Sequence, residues 1–133
     1  MSNRIVEEIE ITPVLAPMAQ TKATSNTGTY LKCPVGLGEI DFVVRHGALA
    51  EGKKVTVEVY QATDTSATGA AEIEKYETVS TAGTGGATDG IVKVSVDSCD
   101  VTKGYVTVKV TNDSASDAVP IDAFALIRKQ YLA

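Results

Sequence analysis

GIVKVSVDSCDVTKGYVTVKVTN, Gly90 to Asn112, is the stretch that decides the fold. In its first half Val92, Val94 and Val96 alternate with Lys93, Ser95 and Asp97. In its second half Val106, Val108 and Val110 alternate with Thr107, Lys109 and Thr111. Side chains of a strand point to opposite faces in turn, so each half reads as a strand with one apolar and one wet face. A sheet covered on one side only is typically antiparallel.

The same period runs outward in both directions. KKVTVEVYQ places Val55, Val57 and Val59 on one face and Thr56, Glu58 and Tyr60 on the other. Ile40 to Arg45 sets Ile40, Phe42 and Val44 on one side. Thr29 to Cys33 is a short strand, and Ala71 to Val79 reads either as a strand or, through AAEIEKYE, as a helical turn. The breaks are rich in residues that turn the chain or bond their own backbone: ATDTSATG at Ala62 to Gly69, AGTGGATDG at Ala82 to Gly90, and NDSASD at Asn112 to Asp117. Gly47 to Gly52 reads as a hairpin loop. The count comes to about eight strands at the spacing of an antiparallel sandwich or barrel. The expected fold class is all-β, in one domain over residues 1–133.

Two segments depart from the wet-face pattern. Ile5 to Leu15, with Pro13 inside it and Pro17 after it, reads as an edge strand or as an extended arm within residues 1–20. VPIDAFALIRK, Val119 to Lys129, is apolar at Val119, Ile121, Ala123, Ala125 and Ile127, and also at Phe124 and Leu126 on the opposite face. A strand apolar on both faces must be covered twice, by a loop or by another subunit.

The formal net charge of -5 argues against a nucleic-acid binder, which needs a basic stripe, and against a polybasic membrane-surface protein. No stretch is long and apolar enough for a membrane-spanning helix. Acids in MSNRIVEEIEITPVLAP occupy the place of a signal peptide's apolar core, so synthesis in the cytoplasm is expected. Cys33 and Cys99 are too few for a disulfide framework or a zinc site of Cys and His. They read as reduced small hydrophobes, with a single bridge left open.

The residues that could carry chemistry are sparse. His46 is the one histidine, placed by parity on the core face where its strand ends. No nucleophile elbow or acid is set beside it, and it reads as a hairpin-end residue with its polar edge in water. Glu7 with Glu8, or Glu72 with Glu74, could form an acid–base pair, but nothing singles either out from a solvated strand face. The glycine-rich loop is followed by a strand and lacks GK[ST], so it is not a phosphate loop. Asp64 and Asp89 lack calcium-loop spacing. No catalytic, cofactor-binding or metal-binding residue is assigned, and no cofactor is expected.

Three pieces together carry a family resemblance: ITPVLAP, VTVEVYQATDTSATGAAEIEKYE, and IVKVSVDSCDVTKGYVTVKVTNDSASDAVPIDAFALIRKQYLA. In their order of strands and polar turns they resemble virion structural proteins of tailed bacteriophages, above all capsid decoration (cement) proteins of β-sandwich or jelly-roll type. The resemblance covers most of the chain and is one of pattern. It implies a non-enzymatic protein that self-associates as a dimer or trimer and binds a major capsid protein on the outside of an icosahedral shell. The apolar terminal strands would make the contacts, through Ile9, Ile11, Val14, Leu15, Phe124 and Leu126. Similar sandwiches serve in phage tails, head completion and fibres. A carbohydrate- or receptor-binding module, with the loops Thr63 to Gly69 and Ala82 to Gly90 clustered at one end, is the reading from another class. A hydrolase using His46 is the third.

Overall fold

The computed structural model describes residues 5–34 and 38–132. Ten strands appear among them: β1 (Ile5–Gln20), β2 (Ser25–Thr27), β3 (Leu31–Lys32), β4 (Glu39–His46), β5 (Lys54–Ala62), β6 (Ala71–Glu72), β7 (Thr78–Thr81), β8 (Gly90–Asp97), β9 (Tyr105–Asn112) and β10 (Val119–Leu132). One sheet has the order β1-β10-β4-β8. The other has the order β2-β9-β5-β6, with β3 also on β9 and β7 also on β5. All these pairings are antiparallel.

The ten segments occupy eight lanes, because β2 and β3 share one beside β9 and β6 and β7 share one beside β5. Two four-lane antiparallel sheets packed face to face, with the chain crossing between them, make a jelly roll. The ambiguous Ala71 to Val79 segment is both of the things its sequence suggested. Two strand residues lead into a 3₁₀ turn at Glu74–Tyr76, and a second short strand follows.

The valine faces meet between the sheets as expected. Ile40, Phe42, Val44, Val55, Val57, Val59, Val96, Val106, Val108 and Val110 are all fully buried in one core cluster. Phe42 lies between Ala125 on β10 and Val94 on β8. The small side chain at Ala125 leaves room for the ring, which is how a core of mixed sizes reaches close packing.

The loop from Gly47 to Gly52 is not a hairpin. β4 pairs with β10 and β8, whereas β5 belongs to the other sheet. Alternation marks which face of a strand is buried but not which strand lies beside it, and these two face each other across the core. The same topology separates two loops expected to cluster. Ala82 bonds to Lys53 at the start of β5, whereas Thr63 follows β5 at its far end. Residues 63–69 and 82–90 therefore lie at opposite ends of the sandwich.

β1 is an edge strand, paired with β10 from Ile5↔Leu132 to Gln20↔Val119, and not a detached arm. Its prolines suit an edge, where the missing N–H costs no ladder bond. The register shifts between Pro13 and Leu15 and again between Leu15 and Met18. An extra residue in a ladder lets neighbours turn to the same side, and both Val14 and Leu15 are buried, at 4% and 7% exposure. Past the second shift, the buried Gln20 amide donates to the Val110 carbonyl at 2.8 Å and accepts from Asn112 Nδ2 at 2.8 Å. This tie joins the two sheets through groups whose hydrogen bonds are made inside the protein.

Cys33 and Cys99 are both free; Cys33 is buried and Cys99 exposed. Burial, then the Asp97 charge, pushes the Cys33 thiol up to about 11. Among the described residues no helix is long and apolar enough to cross a membrane.

Candidate interaction surface

Residues directly opposite one another in an antiparallel pair share a face. The registers therefore place Ile11 beside Leu126 and Asp41, Pro13 beside Phe124 and Val43, and Ile9 beside Arg128 and Glu39, all on the outer side of the β1-β10-β4-β8 sheet. Ile9 is 55% exposed and Ile11 70% exposed. Phe124 and Leu126 are half-buried, and Val43 is nearly covered. The result is an apolar stripe across three strands. Exposed apolar patches of this kind mark contact sites more often than single exposed leucines do.

The six expected contact residues divide cleanly. Ile9, Ile11, Phe124 and Leu126 lie together on this stripe. Val14 and Leu15 do not, because the bulges turn both into the core cluster. Simple alternation from Ile9 and Ile11 cannot reveal a bulge. Val43 and Pro13, which complete the stripe, were not singled out, since only the register brings them beside Phe124.

Ion pairs close both ends of the stripe. The Arg45 guanidinium grips the Asp122 carboxylate through two of its nitrogens, with Nε donating at 2.8 Å. At the other end Arg128 Nε lies 3.3 Å from Asp41 and 3.6 Å from Glu39. The Asp122 contact raises the Arg45 pKa. Beside Arg45 and Asp122 the face dips into a cavity of about 770 Å³, lined also by Pro17, Met18, Asp89 and Ile91.

His46 lies at this end but does not present its ring to water. It is 4% exposed. Nδ1 is 2.9 Å from the Gly47 carbonyl, and Nε2 is 3.3 Å from the Ser80 hydroxyl. A carbonyl can only accept, so Nδ1 donates to Gly47, and Nε2 faces the Ser80 hydroxyl. The expectation of a polar edge in water is thus corrected: the strand end is roofed by the neighbouring sheet. The ring lies so close to Gly90 that a Cβ there would sit 2.2 Å from Nε2. A catalytic His–Ser pair needs an orienting acid on the other ring nitrogen, and here that place is taken by a main-chain carbonyl.

The outer face of the second sheet is of another kind. Carboxylate oxygens of Glu58, Glu72 and Glu77 lie within 4.8 Å of one another. Burial, then the charges of Glu58, Glu77 and Glu74, raises the Glu72 pKa. Strand pairing, not the Glu72–Glu74 spacing, makes this group, and its members sit on a solvent face where acidic clusters are common. The side chains of Glu7 and Glu8 lie outside the described residues. Asp64 is engaged in its own turn, accepting from the backbone of Ser66 at 2.8 Å and of Thr68 at 3.1 Å.

No family model matches the chain, and no curated protein matches it. Solved structures do. The chain is similar to the VP2 subviral particle of infectious bursal disease virus, with a TM-score of 0.56 and 6% identity over 94% of this chain and 32% of that one. It is similar to the T13 viral particle of the same virus, with a TM-score of 0.52 and 8% identity over 92% of this chain and 30% of that one. It is also similar to dimeric latent PorU from Porphyromonas gingivalis, with a TM-score of 0.53 and 10% identity over 95% of this chain and 13% of that one. The chain spans about a third or less of each of these neighbours. At such identities the likeness is one of fold. It supports the two-sheet architecture, and it includes viral capsid proteins.

Proposed function

We propose that the chain is a non-enzymatic virion structural protein that works by association, as a capsid decoration protein bound to the major capsid protein on the outer surface of an icosahedral phage shell. The observation that carries this reading is the apolar stripe of Ile9, Ile11, Pro13, Phe124 and Leu126 on an otherwise complete jelly roll. A sandwich needs apolar residues on its inner faces only, so a second apolar face on the central strand β10 calls for a partner. The fold shared with viral capsid proteins supports the class of the assembly. The family resemblance of the sequence supports the phage and the decoration role.

Small contacts of this kind gain strength by repetition over a symmetric shell, where many copies bind at once. The test is to purify particles from the host that makes this protein, digest them, and measure the chain by mass spectrometry in head and tail fractions. The expected result is enrichment with intact heads at a stoichiometry of many copies per particle. Its absence from particles would overturn the reading. Recovery with tails only would move the protein to a tail or fibre role. The receptor-module reading loses its motive, because its two loops lie at opposite ends of the sandwich.

A further inference from the structure

The charges around the stripe say what covers it. On the outer face, β10 reads Asp122, Phe124, Leu126, Arg128, and β4 reads Glu39, Asp41, Val43, Arg45. β10 carries an acid at the start, apolar side chains in the middle and a base at the end, and β4 carries two acids, then Val43 and a base. Within the sheet the two run antiparallel, which is why Arg45 meets Asp122 and Arg128 meets Asp41. A strand with this order is complementary to an antiparallel copy of itself.

We infer that the outer face of the β1-β10-β4-β8 sheet docks the same face of a second copy of this chain, about a two-fold axis that runs across the strands and crosses β10 at Ala125. This inference rests on reading the stripe as a protein–protein contact. The axis places Phe124 of one copy over Leu126 of the other, and Pro13 over Ile11. Arg128 then faces Asp122 of the second copy, and Arg45 faces Glu39. Lys93 on β8 falls over Ser95, Val43 over Asp41 and Ile91 over Asp97, so no like charges are stacked, and the apolar contact is concentrated on β1 and β10. The contact is isologous: each of these pairs occurs twice.

The face suits a copy of itself in net charge as well. Arg45, Lys93 and Arg128 stand against Glu39, Asp41, Asp97 and Asp122, three positive charges against four negative, on a chain whose formal charge is -5. Most of the chain's excess negative charge therefore lies outside this face, much of it on loop residues such as Glu51, Asp64, Asp113 and Asp117. Four strands at about 4.8 Å spacing and eight residues at about 3.3 Å rise give a flat footprint of roughly 500 Å² per copy. That is at the low end of specific interfaces, so the dimer is expected to form in the micromolar range. Opposed sheets would pack aligned, about 10 Å apart.

Sedimentation equilibrium of the full chain from low to high micromolar concentration tests this. The unmodified chain is expected to shift from monomer to dimer. Leu126→Glu and, separately, Ile11→Glu are expected to weaken that association by at least about 30-fold, the loss typical of a buried anchor. Ile11 is an exposed edge residue, so its variant keeps the test sound if Leu126→Glu misfolds. In a Cys99→Ser background, a mixture of Phe124→Cys and Leu126→Cys chains is expected to give mixed cross-linked dimers with a short bis-maleimide, which spans the gap between facing sheets that a direct disulfide cannot, in excess over either chain alone. A strict monomer at every concentration overturns the inference, and so does a dimer that both glutamate variants leave intact. Particle association is read separately. A monomeric chain that still binds its shell removes self-docking alone, whereas a dimer absent from particles removes the virion reading alone.

Discussion

The two outer faces of this sandwich are built from similar strands and present different surfaces. The face of the β1-β10-β4-β8 sheet holds Ile11, Phe124 and Leu126 between the ion pairs of Arg45 with Asp122 and Arg128 with Asp41. The face of the other sheet holds Thr56, Glu58 and Tyr60, with Lys109 5.6 Å from the centre of the Tyr60 ring and three carboxylates crowded at its edge. Both sheets share one core, so stability does not explain the contrast. A face that meets water can tolerate repulsion between its own charges. A face that meets protein must offer apolar area and leave few charges unpaired when water is removed.

The strongest way to test that division is to truncate one ring inside the first sheet and one outside it. Phe42→Ala is expected to destabilise the fold by about 3–5 kcal/mol, since it empties a fully enclosed site. Phe124→Ala is expected to cost about 1–2 kcal/mol of fold stability in urea denaturation of the monomer, clearly less than Phe42→Ala because its ring is only partly buried, while weakening self-association. Equal losses of stability from the two would erase the distinction between a core face and a contact face.

Gly90→Ala comes next in size. The added methyl would sit 2.2 Å from Nε2 of the His46 ring, which is buried and has little room to shift. A loss of roughly 1–3 kcal/mol is expected by thermal or urea unfolding. His46→Ala in the same background should recover part of it. Recovery would show that His46 acts through packing at the end of β4.

The smallest effect belongs to the solvent face. The Glu72 pKa is raised in the folded protein above its ordinary 4.5, chiefly by burial and then by Glu58. A raised folded value means that its favourable contribution is complete below the ordinary value and is lost as pH rises through the folded one. Glu72→Gln should therefore match the parent in acid and gain a slightly higher Tm toward neutral pH. A gain that is flat with pH would show that the carboxylates do not repel. Self-association should be unchanged, because the proposed contact lies on the other sheet.

Much of this was legible in the residues. Alternation in Gly90 to Asn112 and in KKVTVEVYQ identified the strands, their buried faces and the all-β class. The doubly apolar run around Phe124 and Leu126 marked the unusual strand. Val14 and Leu15 were misplaced because a bulge has no signature in a pattern of period two. The loop after His46 was misread as a hairpin for a related reason: turn-forming residues show where a chain bends, not whether it returns to its own sheet. The cluster of Glu58, Glu72 and Glu77 was invisible because only the pairing of β5 with the β6–β7 region brings Glu58 to Glu72 and Glu77. The tie between Gln20 and Asn112 spans the chain and has no local cue.

What the sequence alone determined is therefore local: which segments extend, which side of each is apolar, and that no helix is needed to bury them. Those properties follow from side-chain geometry within a few residues. Strand order, the eight lanes of the jelly roll, the burial of His46 against Gly90 and the assembly of one apolar stripe from β1, β10 and β4 were decided only by the tertiary structure. Each depends on which distant strands become neighbours, and that choice is made by packing the whole core at once.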